Sequence, residues 1–567
     1  MTRARTLSKP RLFASSPWLA SAVAIVSLGA LPAAAQSQLW IRQIGTGTDE
    51  QAQAATPDGS GGVYLGGITG GNLGGPSAGI SDAWLARYDN AGTQTWIRQL
   101  GTSDYDTAYA TAPDGAGGVY LSGGTGGSLA GPNAGYDAWL ARYDSAGNQS
   151  WISQFGSGAG DWAYSAAPDG SGGVYVGGST SGSLGGSNAG AYDVWLARFD
   201  PAGNTLWLLQ LGTSGSEGFF AAAPDGSGGV YLGGYTNGSL GGSSMGGNDA
   251  LLARYGPGGN QLWVRQLGTS NHDNVIAAAP DGTGGVYVSG KTQGSLGGPN
   301  AGSDDAWLAR YDSLGTQLWV RQIGSDNVDS VRTASPDGSG GVYVGGFTLG
   351  SFGGPSAGMD DAWLARYDGV GNQLWIHQLG TGGLDAAHAV AGDASGGFYL
   401  VGFTSGSLGG LNAGGWDVWL ARYDSCGGHS SYCTAKVNSA GCTPSINFTG
   451  APSATAGSGF TVGATNILNS KFGLFFYSKS GQQAVPFQGG FLCAKVPLIR
   501  TALQNSGGVA PCGGTFNMDF NTYIASGKDP TLVPGTTVDG QYWSRDPGFA
   551  PPNNTSLSDA ISFTICP

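Results

Sequence analysis

Residues 137–155, D-A-W-L-A-R-Y-D-S-A-G-N-Q-S-W-I-S-Q-F, carry the pattern that decides the fold. Asp137 to Tyr143 and Ser150 to Phe155 are short extended runs rich in aromatic and apolar residues. Asp144-Ser145-Ala146-Gly147-Asn148 between them has the composition of a tight turn, so the stretch predicts an antiparallel hairpin. Upstream, Asp106 to Ala112 alternates with small alanines, Pro113-Asp114-Gly115 turns the chain, and Val119 to Ser122 is a further strand. Four short strands therefore make one unit. No stretch of the chain holds a sustained helical period of three to four.

The unit recurs seven times. Trp40, Trp96, Trp151, Trp207, Trp263, Trp319 and Trp375 stand 55 or 56 residues apart, each followed three places later by glutamine. A D-A-W-L-A-R-Y-D type marker begins at Asp82, Asp137, Asp193, Asp249, Asp305, Asp361 and Asp417, and a G-G-V-Y type run precedes each. Four strands per unit, repeated seven times, predict an all-β, seven-bladed β-propeller. Alanines such as Ala108, Ala110 and Ala112 suit a first strand crowded against the axis, and tryptophans and leucines suit the diverging outer strands. A parallel β-helix would need shorter coils with less varied turns. The repeats start on a fourth-strand sequence, Gln38 to Gln43, and end on a third-strand sequence, Asp417 to Asp424. The expected closure pairs these two segments in one sheet and removes two open edges.

The W-L-A-R-Y-D-x-x-G-N-x-L-W-x-R-Q-L-G hairpin and the D-G-S-G-G-V-Y-V-G-G run resemble the bacterial SBBP repeat over roughly residues 38 to 424. That resemblance implies a propeller fold and an exported location, and no shared reaction. Leu251 and Gly256 in the fourth repeat, and Gly392-Asp393-Ala394 in the seventh, depart from the pattern. From Cys426 onward the repeat is abandoned. Segments such as Lys471 to Ser478, Phe491 to Val496 and Ala560 to Ile565 read as strands of a small disulfide-stapled β-sandwich. Y-C-T-A-K-V-N-S-A-G-C-T-P and R-D-P-G-F-A-P-P-N-N-T resemble a C-terminal module appended to large secreted bacterial proteins. The expected domains are a signal peptide over 1–35, the propeller over 36–424 and the C-terminal β domain over 425–567.

Arg3, Arg5, Lys9 and Arg11, the short apolar run Trp18 to Leu31, and Pro32-Ala33-Ala34-Ala35 have the order of a cleaved signal peptide. A secreted or cell-surface protein is expected, with no transmembrane segment. The whole chain carries a formal net charge of −13; all 37 acidic residues lie after residue 35, which leaves the mature chain at −17. Such a surface repels phosphate backbones and anionic lipid heads, so nucleic acid and bilayer are not expected partners. Cys426, Cys433, Cys442, Cys493, Cys512 and Cys566 all lie in the last part of the chain and predict three disulfides of open connectivity. His272, His377, His388 and His429 match no zinc spacing.

An acid stands ten places after each repeat tryptophan: Glu50, Asp106, Asp161, Glu217, Asp273, Asp329 and Asp385. Opening the innermost strands, these carboxylates would circle one mouth of the channel and could bind calcium, a hard cation that takes oxygen ligands. Anchoring of an adjacent turn is the favoured alternative. The repeated arginines from Arg87 to Arg422 are expected to pair with aspartates flanking the same strand. Two loop positions vary inside the constant frame. They contribute Tyr136, Tyr192, Tyr235, Phe347, Phe403 and Trp416, expected as ligand-binding residues on one rim, with loop packing as the alternative.

No G-x-S-x-G elbow precedes a helix and no phosphate-binding G-K-[ST] ending follows a glycine run. No catalytic residue is assigned. Near-equivalence of the repeats favours an exported, non-enzymatic binding or scaffold protein, monomeric, with a glycan or a protein at the cell surface as partner. A polysaccharide-active hydrolase or lyase using propeller carboxylates is the alternative.

Overall fold

The computed structural model describes residues 37–393, 397–424, 430–450, 452–533 and 536–566. The expected signal peptide and Cys426 lie outside them. The described residues fold almost wholly as β-structure, and no helix among them is long and apolar enough to cross a membrane.

The repeats form a propeller-like array of four-stranded antiparallel sheets, seven in number among the described residues. In the first, Glu50–Pro57, Val63–Thr69, Asp82–Tyr88 and Gln94–Leu100 pair in sequence order. In the seventh, Asp385–Gly392, Phe398–Thr404 and Asp417–Asp424 are joined by Ser37–Ile44, with Gln43 opposite Trp419 and Ile44 opposite Val418. Second and third strands are buried on both faces, because neighbouring sheets cover them. First strands alternate buried and half-buried, and fourth strands are the most exposed.

The recurring residues join sheet to sheet. In the second sheet's hairpin turn, Gly147 adopts φ +79° beneath the Trp96 ring, where a Cβ would fall 2.6 Å from the indole. Trp96 Nε1 donates to Ser145 O of that turn at 3.0 Å, and Tyr64 Oη donates to Gly117 O at 2.7 Å. The same contacts link the seventh sheet to the first: Trp40 Nε1 donates to Asn90 O (3.1 Å) and Tyr399 Oη to Gly61 O (2.6 Å). The glutamine after each tryptophan clamps the long loop. Gln99 Nε2 donates to Gly71 O and Asp82 Oδ2, while its Oε1 accepts from Gly74 N.

All seven repeat arginines are ion-paired, at 2.8 Å in each case. Their partners are the aspartates of the Pro-Asp-Gly turns and their seventh-repeat equivalent, such as Asp58 for Arg87 and Asp225 for Arg254, not the aspartates flanking the arginine's own strand. Each turn needs its carboxylate twice over: Asp58 Oδ1 accepts Ser60 N and Gly62 N while Oδ2 takes the guanidinium. Burial works to raise the Asp225 carboxyl, but amide and guanidinium hydrogen bonds outweigh it and hold the group below its usual 3.8. A depressed folded-state value means stability that is present above the unfolded value and lost as pH falls through the folded one. Asp225→Asn should therefore lower the urea midpoint at pH 7. The gap to the parent should narrow below about pH 4, and an equal gap at both ends of the titration would exclude an ionised pair.

The C-terminal region builds a six-stranded sheet around Phe472–Ser478, Thr537–Arg545 and Thr555–Thr564, with a three-stranded and a two-stranded sheet beside it. Its core includes Phe460, Phe475, Phe516, Phe520, Tyr542 and Phe563. The two motifs that resemble the secreted-protein module meet here. Lys436 Nζ donates to the carbonyls of Gln488, Asn553 and Thr555 and lies 4.6 Å from the Phe549 ring centroid, and Ser439 N donates to Asp546. Two disulfides, Cys433–Cys493 and Cys442–Cys512, span Cα separations of 6.2 and 6.3 Å. Cys566 is buried and without a disulfide among the described residues.

Candidate functional site

Each first strand opens with the repeated acid, and the structure buries all seven: Glu50, Asp106, Asp161, Glu217, Asp273, Asp329 and Asp385 are each 0% exposed. Their oxygens face their own repeat. Thr46 N and Thr46 Oγ1 donate to Glu50 at 2.6 and 2.7 Å, and Thr69 Oγ1 adds a bond of 2.9 Å. Thr102 N and Oγ1 with Thr125 Oγ1 do the same for Asp106, and Thr269 and Thr292 for Asp273. Ser157, Thr213, Ser325 and Thr381 supply the corresponding amide and hydroxyl to Asp161, Glu217, Asp329 and Asp385. Burial raises the carboxyls of Asp106, Asp161 and Asp273 above their usual value against these hydrogen bonds. The structure does not bring the seven together: among the described residues no three Asp, Glu, His or Cys side chains are grouped to hold a metal ion. The geometry is that of a turn anchor, repeated. The main-chain amide of each acid also reaches the preceding sheet, Asp106 N to Ser81 O at 2.9 Å and Glu50 N to Trp416 O at 2.6 Å.

Three residues further along each first strand, the side chain points the other way, into a cavity walled by all seven first strands. These residues are Gln53, Tyr109, Tyr164, Phe220, Ile276, Arg332 and His388. With Asn274 and Lys291 they line a mouth of about 380 Å³, within the range of roughly 300–1,000 Å³ of small-molecule sites. Below it, small residues such as Ala54, Ala110, Ala221 and Ala277 form a collar. The frame is the same in every repeat, but the lining is not.

One arc of the mouth is aromatic. Tyr109 lies 5.0 Å from Tyr164 and Tyr164 lies 5.6 Å from Phe220, centroid to centroid. Trp162 stacks parallel to Tyr164 and meets Tyr136 at 5.5 Å and Tyr192 at 5.9 Å, while Phe220 meets Tyr235 at 5.5 Å. Three rim aromatics are thus continuous with the cavity wall. The remaining three join the opposite arc: Trp416 packs on Phe403, Phe403 on His388, and Phe347 lies under Arg332 at 5.3 Å. Tyr235, Phe347 and Phe403 pack directly on inner-ring residues, whereas Tyr136, Tyr192 and Trp416 pack on other residues of the rim. The inner ring itself was missed in the sequence, although it varies in a constant frame by the same signal as the rim.

Electrostatically the mouth is lopsided. Burial, with Arg332 nearby, pulls His388 down to about 3, so its imidazole is neutral and bonds Gln53 Oε1 through Nδ1 at 3.2 Å. Lys291 is paired with Asp304 at 3.0 Å. Burial holds the Tyr136 and Tyr164 hydroxyls well above their usual range, as neutral donors. Neither Asp nor Glu is among the lining residues. The lining offers aromatic faces in Tyr109, Tyr164 and Phe220 and amide groups in Gln53 and Asn274.

No family model matches the chain. A 190-residue segment is 30% identical to the regulatory protein FlaEY of Caulobacter vibrioides, covering 30% of this chain; the chain spans about a fifth (19%) of that protein's length. Among solved structures, the extracellular domain of a hybrid two-component system from B. thetaiotaomicron aligns at 11% identity and TM-score 0.37, over 91% of this chain and 55% of that one. A fungal alcohol oxidase in complex with copper aligns at 12% identity and TM-score 0.34, over 94% and 99%. A gluconolactonase from Xanthomonas campestris aligns at 12% and 0.32, over 69% and 99%.

Proposed function

We propose that this chain is an exported, non-enzymatic binding protein of the SBBP-repeat kind, in which a closed seven-bladed propeller presents one saccharide-binding mouth. The run of adjacent aromatics on the inner ring carries this reading. Seven equivalent positions in a nearly invariant frame hold Gln53, three adjacent aromatics from Tyr109 to Phe220, then Ile276, Arg332 and His388. Rings presented on a rigid wall offer contact area at low entropic cost. The pairing of Ser37–Ile44 with Asp417–Asp424, together with the Tyr399–Gly61 bond, supports closure. Disulfides in the C-terminal region fit an oxidising compartment outside the cell.

The test is a glycan screen of the chain from Gln36 onward, parent beside Tyr164→Ala/Phe220→Ala. A captured glycan should bind the double variant about thirtyfold more weakly, the loss of one strong contact of about 2 kcal/mol. Melting temperature should barely move, since both rings are half-exposed. Equal binding by both proteins, or capture of protein partners but no glycan, would defeat the proposal.

A further inference from the structure

We infer that the ligand of this mouth is an acidic saccharide, its ring seated on the arc of Tyr109, Tyr164 and Phe220 and its carboxylate held by Arg332. The inference rests on the binding role proposed above and narrows its ligand. Arg332 is the reason. Among the described residues from Ser37 to Asp424, every other arginine or lysine has a polar partner. The repeat arginines hold turn aspartates, Lys291 holds Asp304, and Arg98, Arg265 and Arg321 donate to hairpin-turn carbonyls. Even the exposed Arg42 donates to a main-chain oxygen. Arg332 has no hydrogen bond and no ion pair among these residues, only the face of Phe347.

A guanidinium is a planar five-donor fork, and leaving all its donors without protein partners inside a concave wall is costly unless water or a ligand meets them. Arg332 is exposed to solvent at the mouth yet surrounded closely enough that desolvation lowers its pKa. Asp360 feels the guanidinium charge but forms no ion pair with it, and burial raises that carboxyl. The neutral His388 does not compete for an anion. Among the described residues from Ser37 to Asp424, this one unpaired cation in an acidic chain marks where a carboxylate is favoured.

The rest of the lining selects for a sugar over a flat aromatic acid. Gln53, Asn274, neutral His388 and the phenols of Tyr109 and Tyr164 are donors and acceptors spread around the wall. A hydroxylated ring can bond to several of these groups at once, while a bare aromatic carboxylate offers them only its carboxylate oxygens.

The experiment is titration calorimetry of the chain from Gln36 with tetragalacturonate and with its carboxyl-reduced, neutral counterpart. The parent should prefer the acidic probe by tenfold or more, and the preference should shrink with added salt. Arg332→Gln should abolish the preference by weakening only the acidic probe, by about tenfold to a hundredfold, the span of a charge-assisted hydrogen bond at about 1.4 kcal/mol per factor of ten. Arg332→Lys should keep part of it. Equal affinity of the parent for both probes, or a preference that survives Arg332→Gln, overturns the acidic ligand and leaves the binding role standing. If neither probe binds while the screen yields only neutral glycans, the inference is likewise overturned. If Tyr164→Ala/Phe220→Ala leaves every captured glycan bound as before, it is the binding role that fails.

Discussion

A chain lacking Ser37–Gly45 should fail to melt as a cooperative unit, or should melt far below the parent. The excision removes an entire strand ladder from Asp417–Asp424. It removes Gln43, whose Oε1 accepts from Leu408 N (2.9 Å) and Gly409 N (3.2 Å), and whose Nε2 donates to Gly406 O and Asp417 Oδ2. It also removes Trp40, Ile41 and Ile44, which pack on the apolar clusters at either side of the seventh sheet. Trp40→Ala alone should cost about 3 kcal/mol, the lower end for a tryptophan truncation because this ring is half-exposed. Loss of the whole strand should exceed about 5 kcal/mol, a large part of the roughly 5–15 kcal/mol that holds a typical domain together. The freshly exposed edge of Asp417–Asp424 should then drive association, visible as light scattering. Adding a synthetic peptide of residues 37–45 should restore the transition. An unchanged melting temperature would mean that the repeats are stable without this strand.

Much of this fold was legible because the repeat states each element seven times. Asp137–Tyr143 was read to the residue, and the fourth strand of the same unit begins one residue earlier than expected, at Gln149. The second strand was cut short. It was expected to stop at Ser122 and in fact runs to Thr125, because Gly123-Gly124 reads locally as a loop. Only the paired strand shows why glycine is wanted inside it. The arginine pairs were anticipated, but a partner such as Asp58 lies 29 residues before Arg87, in the turn between the first two strands of the same sheet, a contact no local pattern encodes. The helix Phe520–Ala525, six residues long and capped by Asp519, is too short to leave a period. At the mouth, the rim aromatics stood out because loops seldom expose such rings. Tyr109 did not, because it sits between Ala108 and Ala110 in a strand read for its alanines. Strand alternation sends it to the opposite face, into the cavity.

The second-strand glycines yield the sharpest contrast of expected effects within one sheet. Each first strand carries a bulge, in the third repeat between Ala163 and Ser165 as it pairs with Val174–Thr180. The extra residue pushes Trp162 O against Gly178, where a Cβ would lie 1.8 Å from that oxygen. The same approach, at 1.7 to 1.9 Å, recurs at Gly67, Gly123, Gly234, Gly290, Gly346 and Gly402. The preceding position is open by comparison. A Cβ on Gly177 meets Ser165 Oγ at 3.1 Å and Leu232 Cδ2 at 3.4 Å, and three of its six equivalents carry a side chain, Ser122, Ser289 and Val401. Side chains can rotate away from a new methyl group, whereas a main-chain carbonyl within a ladder cannot. Gly178→Ala must shift the strand itself, so it should cost about 3 kcal/mol or more, the upper end of overpacking penalties. Gly177→Ala should stay within about 1 kcal/mol of the parent, since overpacking is relieved where neighbours can yield. Because Trp162 stands behind Tyr164 at the mouth, Gly178→Ala should also weaken ligand binding, and Gly177→Ala should not. Thermal melts of the two single variants decide the matter: if they coincide, the bulge does not set the glycine requirement.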